Sequence, residues 1–530
     1  MCTDLCPRHN LGHPIEPHKF MRAASNKDFR DTNPYINTFF CCSCGVCEMF
    51  ACPQSLAPRS LMADFKGALR KNGVKPPQVT TKPVQESREY RKVPEERLMA
   101  RLGLTRDDKP APLDDEVVPV KKVTVKLSQH IGAPAKPVVK KGDHVLAGQM
   151  IAEAGGFVSA PIHASVSGTV TGIKKILNNM GSKVDAIIIE NDEQYESVPD
   201  QVTESLDSLS KEEILNKIRE GGVVGMGGAG FPTHVKLSPK EPNKIEYVLV
   251  NGAECEPYLT SDYRRMMDYP DELIGGLKCM LKLFDNAKGC ICIEDNKPDC
   301  IAKMTELVKD EPRIEVKTLK TKYPQGAERC LIYAVTDREI NSSMLPADAG
   351  CVVDNVDTVC AVYRAVMFGR PVTEKIVTVT GDGIANPQNF RVKIGTSFAD
   401  LIEAAGGLNE PVEKVISGGP MMGFAMYDYH VPIVKTSSAI LCLKKDEVTA
   451  VEATACINCG RCVSACPARL VPSRLATYSE HGQEEQFVKH NGLECVECGC
   501  CSFVCPAKRH LTQSVRSMRK MVLANRKKAK

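Results

Sequence analysis

Two identical cysteine spacings near the C-terminus constrain this chain more than any other feature: Cys456-x2-Cys459-x2-Cys462-x3-Cys466-Pro and Cys495-x2-Cys498-x2-Cys501-x3-Cys505-Pro. A cubane iron–sulfur cluster needs four thiolates arriving from different directions. One tight loop supplies three, and the chain turns away at x3-Cys-Pro, so the fourth comes from the other motif. The expected ligand sets are therefore Cys456, Cys459, Cys462 with Cys505, and Cys495, Cys498, Cys501 with Cys466. Four-cysteine zinc sites also use C-x2-C, but a doubled motif closing each time on Cys-Pro favours two 4Fe-4S clusters. Cys500, beside a ligand, reads as a bystander.

The chain has 25 cysteines, and they are unevenly placed. Clusters of cysteine occupy both ends, and an odd total does not suit a closed disulfide framework, so metal is the natural reading. The scattered remainder read as small buried hydrophobes. A net charge of +4 on 530 residues makes no case for nucleic acid. The sequence contains no run of 18 apolar residues and no signal-peptide pattern at its start. A cytoplasmic protein able to dock on a membrane partner is expected.

At this length several domains are required. Residues 1–75 form a cysteine-bearing unit, and 76–119, with Lys75-Pro-Pro and Lys109-Pro-Ala-Pro at its edges, reads as a linker. Residues 120–197 carry short alternating strands with Gly and Pro punctuation, an all-β unit. Residues 198–372 alternate helical stretches with apolar strands such as Glu246-Tyr-Val-Leu-Val and Cys290-Ile-Cys-Ile, an α/β pattern. A further small unit covers 373–445, opening near Ile376-Val-Thr-Val-Thr. Residues 446–530 hold the cluster motifs and a basic, helix-like tail.

Gly225-Met-Gly-Gly-Ala-Gly-Phe-Pro-Thr233 follows a helical stretch, Lys211 to Glu220. Such a loop offers unobstructed backbone N–H groups to a phosphate, though it also serves as a tight turn. It is not a dinucleotide fingerprint, because no strand immediately precedes it. Asn251-Gly-Ala-Glu-Cys-Glu-Pro257 comes directly after a strand ending at Val250, where α/β sheets bind ligands.

These segments, with Tyr323-Pro-Gln-Gly-Ala-Glu328 and Asp354-Asn-Val-Asp-Thr358, resemble the flavin site of the NADH-oxidising subunit of respiratory complex I. Residues 120–510 as a whole resemble the RnfC family, the C subunits of the ion-pumping Rnf-type ferredoxin:NAD oxidoreductases. The order matches: a barrel-sandwich unit with Ser128-Gln-His-Ile-Gly-Ala-Pro134, the flavin domain, a β-grasp (SLBB) unit with Ser417-Gly-Gly-Pro-Met-Met-Gly423, and the two-cluster ferredoxin-like domain. The resemblance implies a multidomain α/β and all-β fold and an NADH-linked oxidoreductase. FMN would lie against Gly225, Gly227, Gly228 and Gly230, with Asn251 and Asn355 hydrogen-bonded to the flavin or its ribityl phosphate arm. Phe231 would stack near nicotinamide, Glu254 and Glu256 would face the dinucleotide, and Lys236 would contact phosphate. The chain departs from complex I at Gly252-Ala253, where that family has an acidic residue. FMN is the adapter such a wire needs, since nicotinamide delivers a hydride and clusters accept single electrons.

The barrel-sandwich unit resembles biotinyl and lipoyl domains, but Gly155-Gly-Phe-Val-Ser159 occupies the bend where a carrier lysine belongs, so a structural module is expected. At the N-terminus, Cys2-x3-Cys6-Pro and Cys41-x2-Cys44-x2-Cys47-x4-Cys52-Pro form an incomplete version of the same repeat. The crossing rule gives Cys6, Cys41, Cys44 and Cys47 to one cluster, a third for the chain, and leaves Cys2 and Cys52 with half the ligands of another. Residues 2–75 resemble the tail of the cobalamin reductases of diol-degrading microcompartments. The expectation is a reading frame that starts upstream of Met1, or a unit reduced to one cluster. The resemblance to the Rnf family implies a peripheral subunit on the cytoplasmic face of the cell membrane. Its implied partners are the other subunits, one of them cluster-bearing and membrane-docked, with ferredoxin served indirectly and NADH as substrate. A soluble corrinoid reductase is the alternative.

Overall fold

The computed structural model describes residues 2–77, 83, 111–178, 181–446 and 451–528, apart from 11, 43–45, 50, 53 and 55. Two compact units result, residues 1–110 and 111–530.

The first unit is helical. Helices Pro17–Ser25 and Pro58–Lys71 each begin on a proline, whose fixed φ suits the first turn and whose missing N–H would have no partner there. They pack Phe20 and Met62 against Ile15 and Tyr35. The rings of Phe20 and Phe65 meet edge-on at 5.4 Å.

The second unit opens with β1 (Leu113–Val117), which pairs in parallel with a strand far along the chain. Residues 113–117 of the expected linker therefore form a strand of a sheet, while those up to 110, save 76, 77 and 83, lie outside the described residues. A barrel-sandwich follows, built from β2 (Lys122–Lys126), β3 (Lys136–Pro137), β4 (His144–Val145), β5 (Met150–Glu153), β6 (Ile162–His163), β7 (Gly168–Leu177) and β8 (Lys183–Asn191). Its two sheets, ordered β2-β8-β7-β4 and β3-β5-β6, enclose Val123, Val125, Ile151, Ile162, Val170, Ile187 and Ile189. In β2 the buried Val123 and Val125 alternate with the more exposed Lys122 and Thr124, as a half-buried strand requires.

The α/β domain holds β9 (Tyr247–Gly252), β10 (Lys288–Glu294), β11 (Ile314–Leu319) and β12 (Cys351–Asn355) in a parallel sheet ordered β11-β10-β9-β12. Both faces are covered, so β10 reads as an almost unbroken apolar run, with only Lys288 exposed. Helices Pro270–Leu281 and Val356–Phe368 pack on one face through Leu273, Leu277, Val359 and Val362.

The next sheet is mixed. β13 (Glu374–Thr380), β14 (Gln388–Lys393), β15 (Lys414–Ser417), β16 (Phe424–Ala425) and β17 (Ala439–Leu443) combine with β1 in the order β1-β14-β13-β17-β15-β16. Helix Phe398–Ala404 covers it, started by a Ser397/Asp400 capping box.

The C-terminal domain is helical and internally repeated. Asn458, Gly460 and Arg469 adopt left-handed φ of 56°, 72° and 54°, and Glu497, Gly499 and Lys508 repeat them at 57°, 83° and 52°. Each left-handed glycine lets the loop double back to start a short helix, Arg461–Ser464 or Cys500–Phe503. Helix Leu511–Lys528 packs across both copies through Val515, Met518 and Val522. Among the described residues no helix is long and apolar enough to cross a membrane.

Candidate redox site

Helix Lys211–Glu220 is launched by a Ser210/Glu213 capping box, and the glycine loop follows it directly. The loop closes on itself where the Gly225 N–H donates to the Phe231 carbonyl at 2.8 Å. Its buried base is fixed from two sides. Met226 N–H donates to Thr358 Oγ1 at 2.9 Å, and the Met226 carbonyl accepts from Lys375 Nζ at 3.1 Å.

Lys375 also holds Asp357, at 3.0 Å, and Arg265 grips the same carboxylate from the other side at 2.9 Å. Burial alone would push the Asp357 carboxyl up. The flanking cations Lys375, Arg265 and Arg364 outweigh it and hold the group well below the usual carboxylate range. This buried triad was not foreseen: charged residues in a sequence reveal nothing of whether they are stacked inside a fold.

Above this base, Gly227, Gly228 and Ala229 are exposed. Gly228 has φ +153°, and a Cβ placed on it would project into open space. Gly227 packs directly on Asn355, and Gly230 on Thr436 and the backbone of His130. The loop is thus walled by neighbours on both flanks and open at its crest, a cradle that fits a flavin's phosphate arm. Phe231 is half-buried beside it.

Asn251 and Asn355 lie side by side, paired in register at the C-terminal ends of β9 and β12, where parallel sheets present ligands. Both already have partners. Asn251 Nδ2 donates to the Gly326 carbonyl at 2.8 Å. Asn355 caps helix Val356–Phe368, accepting from Asp357 N–H at 2.9 Å, and donates to Asp262 Oδ2 at 2.6 Å.

Three further residues are committed differently from what the resemblance implies. Lys236, expected on a phosphate, is ion-paired with buried Asp354 at 3.0 Å and donates to the Val353 carbonyl at 2.6 Å. Glu254, expected to face the dinucleotide, sits in left-handed backbone and accepts the Asp262 and Tyr263 N–H groups at 2.7 and 3.2 Å. It thereby satisfies the opening N–H groups of helix Ser261–Asp268. Burial, then the nearby Asp262, pushes its carboxyl up, and burial raises Asp262 as well. Glu256 accepts the Met421 and Met422 N–H groups at 2.7 and 3.0 Å, so it holds the loop between β15 and β16. Each partner lies on an element distant in sequence or on a turn of its own making, which is why local pattern could not assign it.

The C-terminal thiols surround two cavities. Cys456, Cys459, Cys462 and Cys505 line one of about 110 Å³. Cys466, Cys495, Cys498 and Cys501 line a tighter one of about 20 Å³, joined by Cys500. Each fourth cysteine has crossed to the other motif. In both sets the donors ring a cavity; among the described residues no three donors converge as one metal ion requires. Burial pushes the Cys495 and Cys498 thiols up to about 12, with neighbouring thiols adding to it; a cluster held there would displace their protons on binding.

The second cavity abuts the α/β domain. Tyr323 Oη donates to the Cys498 carbonyl at 2.8 Å, and Arg329 meets Glu494 at 2.8 Å. The first faces outward: Cys456 and Cys459 are exposed.

In the N-terminal unit Cys6 and Cys47 are buried in one apolar cluster, with Cys2 and Cys41 packed against it. Burial raises the Cys6 thiol, and the charges of Cys41 and Cys42 act on it too. Cys44 lies outside the described residues. Cys52 Sγ accepts the Leu56 N–H at 3.3 Å, the same bond that Cys466 Sγ makes with Leu470 N–H at 3.4 Å.

Comparison with known families places a domain on each of these regions. The Nuo51 FMN-binding domain matches residues 218–364, the RnfC barrel sandwich hybrid domain 111–194, and the SLBB domain 376–425. A 4Fe-4S dicluster domain matches at each end, over 1–57 and 455–508. Among curated relatives, the C subunit of the Na+-translocating ferredoxin:NAD+ oxidoreductase complex of Acetobacterium woodii is 43% identical over 77% of this chain and 92% of its own length. Its counterpart in the proton-translocating complex of Clostridium ljungdahlii is 46% identical over 76% and 89%. The C subunit of the ion-translocating oxidoreductase complex of Rhodobacter capsulatus is 38% identical over 69% and 71%. With an FMN-binding domain, 4Fe-4S dicluster domains and relatives of this closeness, the chain belongs to the RnfC family, the C subunits of the ion-translocating ferredoxin:NAD oxidoreductase complexes.

Proposed function

We propose that the chain exchanges electrons between NAD(H), FMN and 4Fe-4S clusters as a peripheral subunit on the cytoplasmic face of an Rnf-type membrane complex. The observation that carries this reading is contact: the loop that begins at Tyr323 touches both Asn251 at the sheet end and Cys498 at the second thiol cavity. FMN supplies the conversion between hydride and single-electron chemistry when bound. The open crest at Gly228 and the amides of Asn251 and Asn355 are the groups that would hold it, with Phe231 beside the nicotinamide position. The buried triad Arg265, Asp357 and Lys375 keeps that crest in place.

The ligand sets follow the cavities. Cys495, Cys498, Cys501 and Cys466 form the inner set, next to the flavin domain. Cys456, Cys459, Cys462 and Cys505 form the outer set, and Ile457 beside them is 65% exposed. Cys6, Cys41, Cys44 and Cys47 are the set proposed for a further cluster. The outer set is the port for another cluster-bearing subunit. Exposed Arg461 and Lys508 flank it, and such a basic surface steers an acidic partner.

Iron, sulfide and flavin analysis of anaerobically purified protein, with NADH-dependent dye reduction, tests the reading. Bound FMN, at least two clusters and dye reduction are expected. Protein without flavin and without activity would sink it.

A further inference from the structure

One contact between domains does more than hold them together. The loop Tyr323–Gly326 is tied at one end to the flavin side, where Asn251 Nδ2 donates to the Gly326 carbonyl at 2.8 Å and the Gly326 N–H donates to Cys255 Sγ at 3.2 Å. At its other end the Tyr323 hydroxyl donates to the carbonyl of Cys498 at 2.8 Å. Burial, and after it the nearby Glu256 charge, raise the Tyr323 phenol well above its ordinary value. Glu256 is itself pinned by the Met421 and Met422 N–H groups, at 2.7 and 3.0 Å.

The packing around this carboxylate admits nothing larger. A Cβ on Gly419 would lie 2.0 Å from Glu256 Cγ, and a Cβ on Gly499, the residue after Cys498, would lie 2.7 Å from the Met421 carbonyl. Three domains therefore meet at one tyrosine and one carboxylate, next to a residue of the inner thiol set.

We infer that Tyr323 and Glu256 are positioning residues for electron transfer: together they set the reduction potential and the placement of the inner cluster. The inference rests on the ligand reading above, which puts a cluster on Cys498. A hydroxyl dipole aimed at the peptide of a ligating cysteine stabilises the extra negative charge of the reduced cluster. A carboxylate nearby opposes that charge. Hydrogen bonds and local charge are the levers by which a protein tunes such a centre. The two residues thus act with opposite sign. Tyr323 is also three residues from Gly326, so the chain itself bridges the flavin side and the inner cluster.

The test is an EPR-monitored redox titration of the full chain, wild type against Tyr323→Phe and Glu256→Gln, with Cys495→Ser used to identify the inner cluster's signal. Tyr323→Phe removes the donor and keeps the ring, and the inner cluster should become harder to reduce, by about threefold in its reduction equilibrium. Glu256→Gln keeps an acceptor for the Met421 and Met422 N–H groups but removes the charge, and the same cluster should become easier to reduce. The outer cluster, ligated by Cys456, Cys459, Cys462 and Cys505, should keep its potential in both variants. Potentials that stay put, or that move in the same direction in both variants, would overturn the inference. A wild-type chain with no cluster on the inner set would overturn the ligand reading and the inference with it; a cluster present in all three proteins at one potential would overturn the inference alone.

Discussion

Cys466 shares its cavity with Cys498, while its near neighbour in sequence, Cys462, lines the other cavity. The x3-Cys-Pro turn carries the fourth thiol of each motif away from its own loop, so each proposed cluster is held by two separated stretches of chain.

Cysteine variants therefore pair across motifs. Cys505→Ser should leave the same residual EPR signal as Cys456→Ser, and Cys466→Ser the same as Cys495→Ser. Iron content should fall in each to about half of that due to the C-terminal domain. If Cys466→Ser instead matched Cys456→Ser, the ligands would not be crossed.

Replacing Gly228 with valine places a branched side chain at φ +153°, on the open crest of the loop. Strain and occupied space act together there. Flavin content should drop to near zero while cluster absorbance stays at the wild-type level. Retention of flavin would mean that the loop is a turn and nothing more.

Asp357→Asn leaves Lys375 buried without its counter-charge and Arg265 with only the more distant Glu272, at 3.8 Å. Breaking a buried ion pair from one side costs about 3–5 kcal/mol. The midpoint of chemical denaturation should fall accordingly, and flavin should be lost at lower denaturant than the clusters, because Lys375 also holds the Met226 carbonyl of the glycine loop.

Lys435 is buried between the Pro161 and Gly222 carbonyls, at 3.1 and 2.7 Å, and burial lowers its ammonium from 10.5 to about 7. Between those values the unfolded chain binds a proton that the folded chain does not, so stability rises with pH across that window. Lys435→Met should flatten the rise between pH 7 and about 10 in thermal or denaturant melts. An unchanged slope would show that the lysine keeps its proton in the fold.

The sequence was legible where chemistry is local. Helix Lys211–Glu220 was legible as a helical stretch, which the structure starts with a Ser210/Glu213 capping box, and the strands of the α/β domain by their apolar runs. The thiols of Cys456, Cys459 and Cys462 share a cavity because two-residue spacers and a left-handed Gly460 fold one short loop around it. Family resemblance added the domain order. It did not supply the partners of Lys236, Glu254 and Glu256, each of which the fold engages within the protein.

What the sequence determined by itself was thus the set of cluster-type loops, the glycine turn and the kind of sheet, because each depends on spacing within a few residues. What only the tertiary structure decided was partnership. A carboxylate such as Glu256 accepts from whichever N–H groups packing brings within about 3 Å, and those belong to Met421 and Met422. Likewise the Tyr323 hydroxyl reaches Cys498 only because three domains close on one another. Hydrogen bonds are short and directional, so their partners are fixed by the final approach of surfaces that lie far apart along the chain.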